Sequence, residues 1–162
     1  MSKNELLDGK RILIVDDEPD ILESLEGLLS MCQLVKASTF EDAKKYLETQ
    51  SFDIAILDIM GVNGYKLLEI ANEKNVIAVM LTAHALSVEN TVKAFKEGAA
   101  SYIPKEELSR ITDFLEDIMY AKEKGKHFWG RWIERLGSYY EKKFGPDWQE
   151  KDKDIWRNIP FW

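Results

Sequence analysis

The stretch Arg11-Ile-Leu-Ile-Val-Asp-Asp17 runs apolar, β-favouring residues into two adjacent carboxylates. It reads as a buried strand that ends on charge. Three further stretches have the same build: Asp53-Ile-Ala-Ile-Leu-Asp58, Val76-Ile-Ala-Val-Met-Leu-Thr82 and Ser101-Tyr-Ile-Pro-Lys105. If these are parallel strands joined by helices, their ends line one edge of a sheet, where open α/β folds assemble their sites. Three carboxylates, a hydroxyl and an ammonium then share one cleft.

Apolar runs of strand length alternate with segments of helical period, which predicts a parallel sheet covered on both faces and built from five βα units. Strands are expected near 11–16, 33–37, 53–58, 76–82 and 101–104, and helices near 19–32, 39–50, 64–74, 87–97 and 106–123. Pro19 opens the first helix where its missing N–H costs nothing, with Glu18 and Asp20 near the positive end of the dipole. Its inward stripe is Leu22, Leu25, Leu28 and Leu29, and Cys32 continues that face. The last helix repeats the period in Leu108, Ile111, Leu115, Ile118 and Met119, leaving Arg110, Asp113 and Asp117 for solvent.

The 162 residues fit one domain with room for an appendage. No run approaches the ~18 apolar residues of a membrane span, and the start lacks a signal-peptide core. A soluble bacterial cytoplasmic protein is expected. The lone Cys32 has no intramolecular disulfide partner. Charge divides unevenly: residues 1–124 hold 14 Lys/Arg against 23 Asp/Glu, and residues 125–162 hold 8 against 6. All five tryptophans (Trp129, Trp132, Trp148, Trp156 and Trp162) lie in the second part. The shift marks a boundary near 122–126 and predicts two units, 1–124 and an aromatic-rich helical tail over 125–162.

From about residue 9 to 121, the ordered set Asp16-Asp17, Asp58, Thr82-Ala83 and Lys105 resembles the receiver domain of two-component response regulators. The resemblance implies a doubly wound, flavodoxin-like sheet of order 2-1-3-4-5 with helices on both faces, extended here by the C-terminal helical tail. It implies that Asp58 accepts a phosphoryl group from a histidine kinase or phosphotransfer protein, so that the only reactions catalysed are the domain's own phosphorylation and dephosphorylation. Mg²⁺, with Mn²⁺ as a substitute, would be held directly by Asp17 and Asp58, by Asp16 largely through water, and by the backbone carbonyl of Met60. Thr82 and Lys105 would each bind a phosphoryl oxygen, and Tyr102 would move inward with Thr82 as the switch.

Physical chemistry supports a cation in such a pocket. Like charges ~4 Å apart repel by roughly 1 kcal/mol in water and ~4 kcal/mol at an intermediate dielectric. Mg²⁺ prefers oxygen ligands, keeps several waters and commonly uses one or two carboxylates plus phosphate. Read singly, each residue has a plainer role: Asp16 or Asp17 as a helix cap, Asp58 as a strand-end turn residue, Thr82 as a β-former, and Lys105 as surface charge. Their order along the chain favours the site. His84 either tunes the lifetime of the phosphoryl group, as the resemblance implies, or is a solvated loop imidazole.

Two departures from the family pattern stand out. The loop after Asp58, Ile59-Met-Gly-Val-Asn-Gly64, lacks the usual proline and is about two residues short, with Gly61 and Gly64 as sources of backbone freedom. The usual Lys-Pro is replaced by Pro104-Lys105-Glu106, so a trans bond is expected after Lys105. The tail interleaves acids with its bases, which disfavours nucleic-acid and membrane partners. Two functions remain open: a phosphorylation switch acting on an unknown output protein, or on self-association, through the tail and the face of the fourth and fifth units; and a phosphorylation-independent receiver-like interaction module.

Overall fold

The computed structural model describes residues 6–83 and 88–124, with side chains described to Lys122 and not for 88–90. His84 and the whole tail over 125–162 lie outside the described residues, as does the division between the two units. Five strands, β1 (Arg11–Val15), β2 (Gln33–Ala37), β3 (Ile54–Asp58), β4 (Ile77–Thr82) and β5 (Ser101–Pro104), alternate with α1 (Pro19–Leu28), α2 (Phe40–Thr49), α3 (Gly64–Glu73), α4 (Val88–Lys96) and α5 (Ile111–Lys124). All pairings are parallel, in the order β2-β1-β3-β4-β5. Right-handed crossovers require this order to put α1 on the face opposite α2, α3 and α4, because only α1 leads leftward from β1.

Strands buried on both faces should read as continuous apolar runs. β3 and β4 are buried at every residue, whereas β2, at the sheet's edge, is buried only at Ala37. The helices cover these faces with Leu25 and Leu29, Ala43 and Leu47, Leu67, Leu68 and Ala71, and Ile111, Leu115 and Ile118. Each fully buried Leu or Ile contributes roughly 1.5–3 kcal/mol. Local signals fix the entries: Pro19 begins α1, and the Thr39 hydroxyl accepts a hydrogen bond from Asp42 N at 3.2 Å at the start of α2.

Two boundaries and one burial differ from the periodicity. α1 stops at Leu28, so Cys32 lies beyond it, half-buried, with its Sγ donating to the Leu7 carbonyl at 3.3 Å. Burial, with Asp8 nearby, pushes its thiol up to about 11, which leaves little thiolate for chemistry. Residues Lys105–Arg110 form a 3₁₀ turn ahead of α5, because Glu107 departs from helical geometry. Asp117, assigned to solvent by the period, is buried, and so is Glu116.

Candidate functional site

Strand register aligns the chemistry. Asp58 pairs with Leu81, one residue before Thr82, and Thr82 pairs with Pro104, one residue before Lys105. Asp16 follows the end of β1 and donates its N–H to the Ala37 carbonyl. The strand ends therefore deliver Asp16, Asp58, Thr82 and Lys105 to one edge.

Lys105 draws this edge together. Its Nζ lies 2.9 Å from Asp16 Oδ2, 3.1 Å from Glu18 Oε1 and 3.4 Å from Asp58 Oδ1, with only 9% of the side chain exposed. Asp16 and Asp58 are themselves buried. Burial raises both carboxyls above their ordinary value, and Lys105 opposes that rise. Asp16 adds to the rise at Asp58 by direct repulsion. Burial disfavours the Lys105 charge, but hydrogen bonds to Asp16 and Glu18 and attraction to the carboxylates outweigh it, so its pKa is raised.

Asp16 also serves the helix: its Oδ1 accepts a hydrogen bond from Glu18 N at 2.9 Å. Capping and ion pairing are thus two uses of one side chain. The loop after Asp58 folds back, with Gly61 N donating to Asp58 Oδ2 at 3.1 Å. A Cβ at Gly61 would overlap Asp17 Oδ1 and Asp58 Oδ2, and a Cβ at Gly64 would overlap the Asp58 carbonyl and Ile59 backbone. Neither position takes a Cβ unless a neighbour shifts: side-chain carboxylates at Gly61, backbone at Gly64. The positive φ of this turn belongs to Asn63, at 53°, so the loop's unusual backbone falls on a residue that tolerates it.

The gap at Gly61 is flanked by carboxylate oxygens of Asp17 and Asp58, with Asp16 completing an oxygen-rich cluster. That donor set fits a hard divalent cation such as Mg²⁺. Carboxylate oxygens of Asp16, Asp17 and Glu18 also lie within 4.8 Å of one another. The Met60 side chain is exposed, leaving only its main chain to turn inward.

Thr82 and Tyr102 are both buried, and the Tyr102 hydroxyl faces the hydroxyls of Thr82 and Thr91. Burial raises the Tyr102 phenol above its ordinary value. The ring is fully buried. Two participants escaped the sequence reading. In the sequence Glu18 reads only as a dipole partner of α1, and nothing there singles out Thr91.

The profile of the response regulator receiver domain matches residues 12–116. Over 104 residues the chain is 36% identical to the two-component response regulator ARR18 of Arabidopsis thaliana, covering 60% of this chain and 16% of that protein. Over 98 residues it is 35% identical to the heme response regulator HssR of Staphylococcus saprophyticus, covering 57% and 43%. The chain therefore spans less than half the length of these relatives. Among solved structures, a CheY-like receiver domain protein from Methanospirillum hungatei JF-1 superposes with a TM-score of 0.65 at 29% identity, over 73% of this chain and 99% of that one. The BeF3-activated DrrB receiver domain superposes with a TM-score of 0.55 at 25% identity, over 67% and 98%.

Proposed function

Because the chain belongs to the response regulator receiver domain family, we propose that it is a phosphorylation-controlled switch in which Asp58 takes a phosphoryl group from a histidine kinase or phosphotransfer protein. The observation that carries this reading is the convergence of Lys105 on Asp16 and Asp58 in a buried pocket at the strand ends. An Asp58 oxygen attacks phosphorus, the bond from phosphorus to the donor imidazole nitrogen breaks, and the imidazole leaves with that electron pair. A divalent cation held by Asp16, Asp17, Asp58 and the Met60 carbonyl supplies neutralisation of the phosphoryl oxygens when bound. Lys105 releases part of its carboxylate pairing to take one phosphoryl oxygen, and the Thr82 hydroxyl takes another. Glu18 holds Lys105 back from that task, which makes it a brake on the site.

The reaction catalysed is the domain's own phosphorylation and dephosphorylation, and the output is a change in protein contacts within the cytoplasm. Residues 1–124 form the receiver, and 125–162 the segment through which output is read. His84, two residues past Thr82, is assigned to tuning phosphoryl lifetime. Intact-mass spectrometry with acetyl phosphate tests the reading. The wild type should gain one phosphoryl mass only with Mg²⁺ or Mn²⁺, and Asp58→Asn none. Labelling that survives chelation, or equal labelling of Asp58→Asn, refutes it.

The buried Tyr102 ring favours one second reading. A receiver whose aromatic is already inward without a phosphoryl group serves equally as a phosphorylation-independent interaction module. Absence of any mass gain in the same experiment selects that reading.

A further inference from the structure

Residues paired across parallel strands, like residues two apart on one strand, point to the same face of a sheet. Met80 pairs with Tyr102 and lies two positions before Thr82, so the Thr82 and Tyr102 side chains leave the sheet together. α4 packs against β5, and among its described side chains Thr91, Val92, Ala94 and Phe95 are buried. Thr91 is the polar member of these four. It is fully buried, and a valine would fill the same volume without a hydroxyl to satisfy. Its hydroxyl, like that of Thr82, faces the phenol of Tyr102. Two ties from α3 hold α4 in this place: Asn72 Nδ2 donates to the carbonyl of Glu97, just past the end of α4, at 2.7 Å, and the Lys93 ammonium lies 4.4 Å from the centre of the Tyr65 ring.

A threonine hydroxyl has one proton to give. On the reading of Asp58 as phosphoryl acceptor, from which this inference proceeds, Thr82 gives that proton to a phosphoryl oxygen and withdraws it from the phenol. A buried phenol hydroxyl left without a partner carries an uncompensated desolvation penalty, and that penalty would weaken phosphoryl binding. We propose that Thr91 is a positioning residue of the switch: its hydroxyl keeps the Tyr102 phenol partnered in the interior, so that Thr82 can turn to the phosphoryl oxygen without stranding the ring. Tyr102 is then buried in both states. The change passed to α4 is the exchange of one hydroxyl partner for another rather than a swing of the ring, and a buried Tyr102 is compatible with a working switch.

Beryllofluoride with Mg²⁺ stands in for the phosphoryl group at Asp58, and calorimetry reads its affinity for the full-length protein. T91V should bind it about tenfold more weakly than the wild type, the equilibrium equivalent of one stranded buried hydroxyl. T91S, which keeps the hydroxyl, should bind it as the wild type does. In a Y102F background, where there is no phenol hydroxyl to strand, T91V should have no further effect. If T91V does not fold, T91A, which also removes the hydroxyl, replaces it in both comparisons. Equal affinities of the wild type and the folded Thr91 variant overturn the proposal and leave the reading of Asp58 standing. An equal loss with and without the phenol hydroxyl also overturns it, because Thr91 would then act through packing alone. A wild type that binds no beryllofluoride overturns the reading of Asp58, and this inference with it.

Discussion

Single residues at the pocket have opposed effects on stability and on chemistry. Asp16 and Asp58 have raised pKa values, so the folded state holds their protons longer than the unfolded chain. These two groups cost no stability below their unfolded pKa, and their penalty grows as pH rises through the carboxylate range toward the raised folded values. Without a divalent ion, the protein should therefore lose stability from them as pH rises from about 4 toward their raised folded values, and added Mg²⁺ should restore it. Asp58→Asn removes one buried charge and the repulsion from Asp16. In chelator it should melt higher than wild type by a few degrees, about 1 kcal/mol, while accepting no phosphoryl group. A lower melting temperature for Asp58→Asn in chelator at pH 7 would show that Lys105 already neutralises the pocket. Lys105→Ala should behave in the opposite way, destabilising by about 3 kcal/mol at pH 7, and by less as pH falls and the stranded carboxyls take up protons. Asp58, Thr82 and Lys105 were legible in the sequence because each ends an apolar run. Glu18 was not, since an acid at a helix start has a sufficient local explanation and its pairing with Lys105 spans 87 positions.

At the scale of elements, the β3–α3 loop is the most constrained connection near the site. Gly61 and Gly64 both lack room for a Cβ, but for different neighbours. Gly61 faces the side chains of Asp17 and Asp58, which can shift, so Gly61→Ala should weaken Mg²⁺ binding about tenfold while costing stability little. Gly64 faces the Asp58 and Ile59 backbone, which cannot shift without distorting β3, so Gly64→Ala should cost about 1–3 kcal/mol. Calorimetric Mg²⁺ titration beside thermal melts separates the two, and a pair of variants with the same ratio of effects would contradict this division. The order of strands and helices was visible in the chain, because β3 and β4 are uninterrupted apolar runs and Pro19 and Thr39 mark helix starts. Two errors share one cause. A 3.6-residue pattern does not distinguish the 3₁₀ turn Lys105–Arg110 from helix over so few residues, and it assigns Asp117 to solvent because it knows only the sheet. Asn63 could have been recognised as the positive-φ residue of its turn, being the usual non-glycine type in that conformation.

For the whole molecule, the question is whether the pocket and the C-terminal segment after α5 communicate. The path between them is short in sequence: Lys105 closes the pocket and the 3₁₀ turn it begins leads directly into α5. Tyr102, on β5, faces Thr82 and Thr91 and so ties the pocket edge to α4. Contact alone does not make a switch, because a ligand shifts an equilibrium only by its differential affinity for two states. Linkage supplies the discriminating experiment, since coupling between two sites is reciprocal in binding free energy. A beryllofluoride complex with Mg²⁺ provides an equilibrium mimic of the phosphoryl group at Asp58. If its binding changes acrylamide quenching of the tryptophans, all of which lie beyond residue 125, then removing residues 125–162 should change beryllofluoride affinity, by a factor within the ~5–150-fold range usual for coupled sites. Unchanged quenching together with equal affinities would leave residues 125–162 outside the switch, and the buried Tyr102 would then mark a receiver whose contacts do not depend on the phosphoryl group.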